Sequence, residues 1–337
     1  MHYIPLLASL FAIHVCAEKI TNNENFIVCN PSAIHTPNTT IQVQKIVTDA
    51  LDRAGGARVS IRAFGAGHST NRILCSDDDG ITIITTRLSA IVAIDLVKRE
   101  VTIGAGALLG PFLESMVSHG LMMVGVPDYG GISIAGALAT SAHGSSLKYK
   151  SSVQDYVVGV KLVTGTGKIV TLVESDEDFK AVRGNLGVLG VITEVTMRMQ
   201  PLKKVAAKNT VIDFKSVPDS IVGLISQHDF AGLYYFVENE VAILHAYDFV
   251  DVETKGDGYR TSWDAPVFGS VISGVAYAAI DLLQRAFSET EVCWLAGIRA
   301  WGLKTAEVSQ SVGYFGNMYM GKICTGSSCV KPQVRIF

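Results

Sequence analysis

Two glycine-rich stretches carry the residue types most suited to holding a charged ligand. Gly65-Ala66-Gly67-His68-Ser69-Thr70 places two glycines, an imidazole and two hydroxyls in one short run. Glycine lets the backbone take φ > 0 and approach a ligand closely, and successive N–H groups then form a nest for an anion. A diphosphate is the natural guest. The run is a poor Rossmann fingerprint, because Thr70 replaces the third glycine and no helical pattern follows. Read alone, it also fits an ordinary tight turn.

The second stretch runs from Gly130 to Ser146, seventeen residues dominated by small side chains with hydroxyls and one imidazole interspersed. A core helix would want larger side chains. The composition suits a loop packed against a flat, polar cofactor and supplying N–H and O–H donors to it. The alternative is a glycine-rich surface loop.

Regular elements must hold these stretches in place. Thr39 is the expected N-cap of a helix, with Gln42 three residues on to complete a capping box. Val43, Ile46, Val47, Ala50 and Leu51 recur at helical spacing, and Gly55-Gly56 ends the run. Val59 and Ile61 alternate with polar residues in a strand that enters Gly65 directly. Further strands are expected at 81–85, 91–96 and 101–103, with a charged turn at Lys98-Arg99-Glu100. Leu109, Phe112, Leu113, Met116 and Val117 mark a helix face stopped by Gly120. A hairpin follows, 156–163 and 169–173 around Gly165-Thr166-Gly167. Ser175 is the expected cap of a short helix through Arg183, and a strand over 191–199 is closed by Pro201. Strands outnumber helices, which is an α+β order, and a second domain is expected after Pro201.

Composition narrows the class. The chain has 337 residues, 48% hydrophobic and only 18% charged, with 32 glycines, so it is globular rather than disordered. That length accommodates two cores, since one seldom grows past roughly 250–300 residues. A net charge of -3 leaves no basic stripe for nucleic acid. Residues 1–17 read as a secretory signal, an apolar run from Ile4 to Ile13 followed by Val15-Cys16-Ala17, with a buried first element as the alternative. The uncharged segment 265–280 is shorter than the roughly 20 residues of a membrane span, so a buried helix is expected there and no integral membrane span. Asn38-Thr39-Thr40 is an N-glycosylation acceptor. Without Cys16, five cysteines remain, an odd number; Cys324–Cys329 and Cys29–Cys75 are both open as disulfides. No CxxC pair or His/Cys cluster suggests a metal.

Taken together, several runs resemble the PCMH-type FAD-binding domain of the vanillyl-alcohol-oxidase family and, within it, the aldonolactone oxidases of gulonolactone and arabinonolactone. They are Arg62–Ser69, Ile73–Asp77, Val101–Gly106, Ser141–Leu147, Val153–Val157 and Asn185–Ile192. The resemblance spans about residues 25–201. It implies two α/β subdomains over 24–200 and a substrate (cap) domain over 201–337, the latter incomplete.

The resemblance also implies roles. Gly65, Ala66, Gly67, His68 and Ser69 would form the first pyrophosphate loop, with His68 where many relatives attach FAD covalently. Gly130, Gly131, Ser133, Gly136 and Thr140 would form the second phosphate and ring loop. His143 and Gly144 would bring backbone close to the cofactor, and Val191 and Ile192 would meet its adenosine end. Asp155 and Glu194 are expected to be structural or solvated, and His119 to end a helix.

No catalytic residue is assigned. Gulonolactone-type oxidases carry a late His-Trp-x-Lys signature, and here Trp263, Trp294 and Trp301 have no adjacent histidine. His245, Tyr247, Glu238 and Glu240 are the titratable or donor residues in the right region. The leading expectation is an exported FAD enzyme oxidising a sugar or lactone alcohol with oxygen and releasing hydrogen peroxide. A dehydrogenase of the same fold with another acceptor, a non-catalytic flavin-binding fragment and an NAD-binding Rossmann protein are the alternatives.

Overall fold

The computed structural model describes residues 19–23, 25–76, 78–236, 240–255 and 311–314. The expected signal 1–17, the segment 265–280, the three tryptophans, Glu238 and cysteines 293, 324 and 329 lie outside the described residues.

The chain opens with β1 (Ile20–Thr21) and β2 (Val28–Cys29), an antiparallel pair. β3 (Ala33–His35), α1 (Thr40–Ala54), β4 (Ile61–Phe64) and β5 (Ile81–Ile84) then build a parallel sheet in the order β3-β5-β4. Thr39 caps α1: its hydroxyl accepts the Gln42 N–H at 3.2 Å, and the Gln42 side chain accepts the Asn38 N–H at 2.8 Å. Gly55, left-handed at φ 56°, ends the helix. Val43, Val47 and Ala50 on its buried face pack with Ile81 and Ile83 of β5.

The central sheet is formed by β6 (Ile91–Asp95), β7 (Glu100–Gly104), β9 (Val157–Val163), β10 (Ile169–Val173) and β11 (Val191–Arg198), ordered β10-β9-β11-β7-β6 and antiparallel throughout. Between these strands come α2 (Leu109–Val117), β8 (Leu121–Met122) and α3 (Ile134–Ala139). The largest core joins this sheet to α2 and α3, with Ile103, Leu109, Met116, Leu138, Val195 and Met197 buried inside it. α1 also reaches Val163 and Val191, so it lies between the two sheets.

β12 (Gln200–Pro201) pairs with β8. After it come β13 (Lys204–Ile212), α4 (Val217–Ser226), β14 (Phe230–Phe236), β15 (Val241–Val250) and β16 (Ser311–Tyr314). The four strands form one antiparallel sheet, β14-β15-β13-β16. Leu224 and Ile225 of α4 pack on Ala231, Leu244 and Ala246 of one face. From the opposite face Phe230 and Tyr247, paired in register, enter the large core. The architecture is α+β, as expected.

Two expectations are corrected. Residues 130–146 are not one continuous loop, because α3 forms inside them. Its Ser133 hydroxyl accepts the Gly136 N–H at 3.3 Å, and alanine-rich sequence has high helix propensity even without large side chains. The turn over 177–182 is a 3-10 helix capped at Asp176, not Ser175. The Asp176 carboxylate is engaged by the Val173 N–H at 2.8 Å, which fixes the chain's exit from β10.

Candidate functional site

β4 delivers the chain into the first glycine loop, and α3 begins beneath it. Between them lies a cavity of about 530 Å³, within the range of small-molecule and cofactor sites. Its walls are β4, residues 65–71, α3 and the segment 185–192.

Close approach of the two loops depends on glycine. A Cβ at Gly65 would stand 2.1 Å from Ser133 Oγ, so only glycine brings this backbone against the start of α3. Gly67 takes φ 74°, which turns the loop back over the cavity. Among the described residues, no acceptor takes the N–H groups of Ala66, Gly67 and Ser69. Such donors, beside the N-terminus of a helix, form a nest for an anionic group. Among the described residues, Arg62 is the one permanently charged side chain on the cavity wall, and its Nη1 donates to Leu186 O at 3.1 Å. These groups fit a flavin dinucleotide: a narrow glycine cleft, N–H donors for a diphosphate, one cation and apolar walls from Ile73, Leu74, Ile132 and Ile192.

His68 lies on the wall, half-buried, with its ring edge-on to Tyr129 at a centroid distance of 4.7 Å. The Asn23 side-chain amide lies 2.8 Å from its Nε2.

Of the residues expected here, Gly65, Ala66, Gly67, His68, Ser69, Ser133, Gly136, Thr140 and Ile192 line the cavity. Gly130, Gly131, His143, Gly144 and Val191 do not. Gly130 O accepts the Gly110 N–H at 2.8 Å, and Gly131 packs against the Tyr129 ring, so this pair ties α2 to the approach of α3. His143 is exposed, with Nδ1 3.0 Å from Gly144 O, on a segment bridged to Ser152. Val191 alternates with Ile192 along β11 and points into the α1 core instead.

Sequence reasoning left out Arg62, Asn71, Thr85, Asn185, Leu186, Gly187 and Gly190, which share the wall. One signal was available for the last group. Gly184, Gly187 and Gly190 recur at every third residue, and all three take positive φ.

The residues expected as proton acceptors stand elsewhere. His245 and Tyr247 are hydrogen-bonded to each other on β15, and burial lowers the His245 pKa to about 4. Glu240 is exposed in the turn before β15. None of the three lines the cavity. Glu194 pairs with Lys161 at 2.7 Å across β11 and β9, a structural role. No helix among the described residues is long and apolar enough to cross a membrane.

Comparison with known proteins agrees with this geometry. Residues 31–173 match the model of a family described as an FAD binding domain. L-gulonolactone oxidase 2 of Arabidopsis thaliana is 30% identical over 318 residues, covering 91% of this chain and 52% of that protein. L-gulono-1,4-lactone dehydrogenase of Mycobacterium tuberculosis is 35% identical over 175 residues, covering 52% of this chain and 39% of that protein. This chain thus spans about half the length of such relatives, or less. Among solved structures, cholesterol oxidase from B. sterolicum superposes with a TM-score of 0.72 at 17% identity, over 93% of this chain and 62% of that one, a likeness of fold. The chain therefore carries an FAD-binding domain of the PCMH type, related to the L-gulonolactone oxidases and dehydrogenases, and its cofactor is FAD.

Proposed function

We propose that this chain is an FAD-dependent oxidoreductase acting on a secondary alcohol of a sugar or aldonolactone, with oxygen as acceptor and hydrogen peroxide as product. The observation that carries the reading is the cleft in which Gly65 meets Ser133, lined by N–H donors and Arg62. The substrate class comes from the relatives named gulonolactone oxidase and dehydrogenase.

When bound, FAD supplies the redox chemistry, accepting a hydride from the alcohol carbon. The residues of the chain do the holding. Ala66, Gly67 and Ser69 offer N–H groups to the diphosphate, Arg62 balances its charge, and Ile73, Leu74 and Ile192 keep water from the wall. His68 is proposed as the point of covalent attachment.

An absorbance spectrum of the purified chain before and after acid precipitation tests the cofactor reading. Flavin colour held in the pellet, and lost from it in His68→Ala, is expected. Colour released to the supernatant sinks the covalent proposal alone, while a folded chain that takes up no added FAD sinks the whole reading and leaves a non-catalytic module. The relative named a dehydrogenase favours a second reading, in which another acceptor replaces oxygen. Lactone-dependent peroxide release under air, against turnover seen only with an added dye, separates the two.

We also propose that the protein follows the secretory route, losing residues 1–17 and carrying glycan on the exposed Asn38. The Cys29–Cys75 disulfide supports this, since such bonds persist in oxidising compartments. An intact mass of the product exported from eukaryotic cells, expected to begin at Glu18, checks it; a chain kept inside with residues 1–17 attached refutes it.

A further inference from the structure

We propose that the Cys29–Cys75 disulfide makes cofactor retention redox-dependent, by fastening the N-terminal hairpin as a splint on the first glycine loop; the inference rests on the cavity being the FAD site. The hairpin meets the cavity wall at two levels. Where β1 turns into β2, the Asn23 N–H donates to Gly67 O at 2.9 Å, and Asn22 Nδ2 donates to Ser69 O at 3.2 Å. At the other end of the hairpin Cys29 is bonded to Cys75, and the Arg72 guanidinium donates to Val28 O at 3.3 Å.

The stretch between these fastenings faces the cavity. Asn71, Ile73 and Leu74 line it together with the glycine loop. The 3-10 turn Arg72–Leu74 is closed by Asn71 Oδ1, which accepts the Ile73 N–H at 3.0 Å, and by the Cys75 N–H, which donates to Arg72 O at 3.0 Å. Cys75 therefore ends the lining segment, and a covalent bond there fixes wall and hairpin to each other. Without that bond the hairpin is a weak element. β1 and β2 pair over two residues each, Ile20 with Cys29 and Thr21 with Val28, in a sheet of their own. An isolated two-stranded pair is marginal in water. Its apolar residues Ile20, Ile27 and Cys29 pack only into a small cluster with Phe64 and Leu74, themselves part of the cavity wall.

Reduction by a dithiol breaks the S–S bond. The dithiol supplies two electrons and two protons, leaves as its own disulfide, and Cys29 and Cys75 remain as thiols. The hairpin then loses its covalent anchor, the bonds to Gly67 O and Ser69 O loosen with it, and the loop that offers N–H groups to the diphosphate loses its set position. The coupling runs both ways. If the oxidised chain binds FAD more tightly by some factor, FAD makes the disulfide harder to reduce by the same factor. Cys29 and Cys75 are 1% and 9% exposed, so a reductant reaches the bond only when the hairpin lifts from the wall.

The test uses the full chain produced under riboflavin limitation, in a His68→Ala background that keeps FAD binding reversible. FAD affinity, read by flavin fluorescence, is expected to fall about tenfold when Cys29→Ser and Cys75→Ser are added, within the usual range of coupling between two sites. In the disulfide-bonded parent, saturating FAD is expected to lower the reduction potential of the bond by about 30 mV, which is that tenfold factor for a two-electron couple. Dithiothreitol buffers, with the thiols trapped by alkylation and counted by mass, measure it. Thr39→Ala removes the cap of α1, away from the hairpin, and is expected to lower the urea midpoint without changing FAD affinity. Equal affinity with and without the two cysteines, or a potential that FAD does not move, overturns the proposal. So does an equal loss of affinity in Thr39→Ala, since any destabilisation would then act alike. Should the double serine variant not fold, Asn22→Asp with the disulfide intact carries the test. It keeps the oxygen that accepts the Phe26 and Ile27 N–H groups at 2.9 and 3.0 Å and loses the donor to Ser69 O. Its affinity is expected to fall about fivefold, and an unchanged value overturns the splint. A folded parent that binds no FAD refutes the cofactor reading itself, whereas a parent that binds FAD alike in both thiol states refutes this inference alone.

Discussion

The Ser133 hydroxyl occupies the space that a side chain at Gly65 would need. A Cβ built on Gly65 falls 2.1 Å from Ser133 Oγ and 3.1 Å from its Cβ, while the same hydroxyl accepts the Gly136 N–H as the cap of α3. One serine therefore starts the helix of the second loop and sets how closely the first loop lies on it. The cavity exists because these two positions are small and paired.

Gly65→Ala is accordingly expected to cost about 1–3 kcal/mol, the range for overpacking a well-filled site, and to abolish flavin uptake. Ser133→Ala alone should cost about 1 kcal/mol through the lost cap. Combining Gly65→Ala with Ser133→Gly removes the clashing atoms, so the double variant should be more stable than the sum of the singles implies. Urea unfolding of the wild type, the double variant and its two parent single variants measures this coupling. Strict additivity would mean that the two loops do not touch as described.

How far the sequence foretold this site depended on what each residue advertises. α1 was legible because Thr39, Gln42 and Gly55 punctuate a run of buried Val43, Val47 and Ala50. The first loop was legible only beside the other matching runs, since glycines after a strand also fit an ordinary tight turn. α3 was not, since Ala135, Gly136, Ala137 and Ala139 carry no amphipathic contrast and only a serine cap announces the helix. Arg62 lies in a strand whose alternation makes it read as an outward polar residue, and its carbonyl partner at Leu186 is 124 residues away. The contact of Asn23 with His68, across 45 residues, leaves no local pattern at all. Nor does cysteine spacing choose one pairing among several.

The glycines at 187 and 190 separate conformational strain from steric exclusion. Gly187 takes φ 75°, and a Cβ there meets only the end of the Arg62 side chain at 3.4 Å. Gly187→Ala should cost about 1–2 kcal/mol, the penalty for a left-handed residue. Gly190 takes φ 135°, and its Cβ would lie 2.2 Å from the Val163 carbonyl oxygen, which is backbone in a central strand and cannot give way. Gly190→Ala should therefore cost about 3 kcal/mol or more. Thermal melts should rank the variants in that order, and equal losses would contradict the close approach at Gly190.

The disulfide between Cys29 and Cys75, 46 residues apart, encloses β3, α1, β4 and the first glycine loop. Closing a loop of this size stabilises the folded chain by about 4 kcal/mol, chiefly by restricting the unfolded state. Cys29→Ser with Cys75→Ser should lower the urea midpoint accordingly. Reductant should destabilise the wild type more than the double variant. Because both sulfurs are held in the folded core, rapid alkylation of Cys29 or Cys75 in the native, unreduced protein would count against the bond.

The buried histidine on β15 predicts a pH dependence with a definite sign. His245 has its pKa lowered by burial from 6.5 to about 4, so the folded chain holds it neutral and hydrogen-bonded to Tyr247. Between these two values the unfolded chain binds the proton and the folded chain does not, so falling pH favours unfolding. The stabilisation from this residue is complete above pH 6.5 and is lost progressively as pH falls towards 4. A tenfold change in proton affinity corresponds to about 1.4 kcal/mol, so the loss across this window approaches about 3 kcal/mol. Other groups titrate over the same range, so the informative quantity is the stability difference between wild type and His245→Gln. That difference should move by about 3 kcal/mol, to the disadvantage of the wild type, from about pH 7.5 to about pH 4, as measured by urea unfolding at each pH. A constant difference across the range would mean that His245 takes up its proton alike in the folded and unfolded chains, so that burial does not hold it neutral.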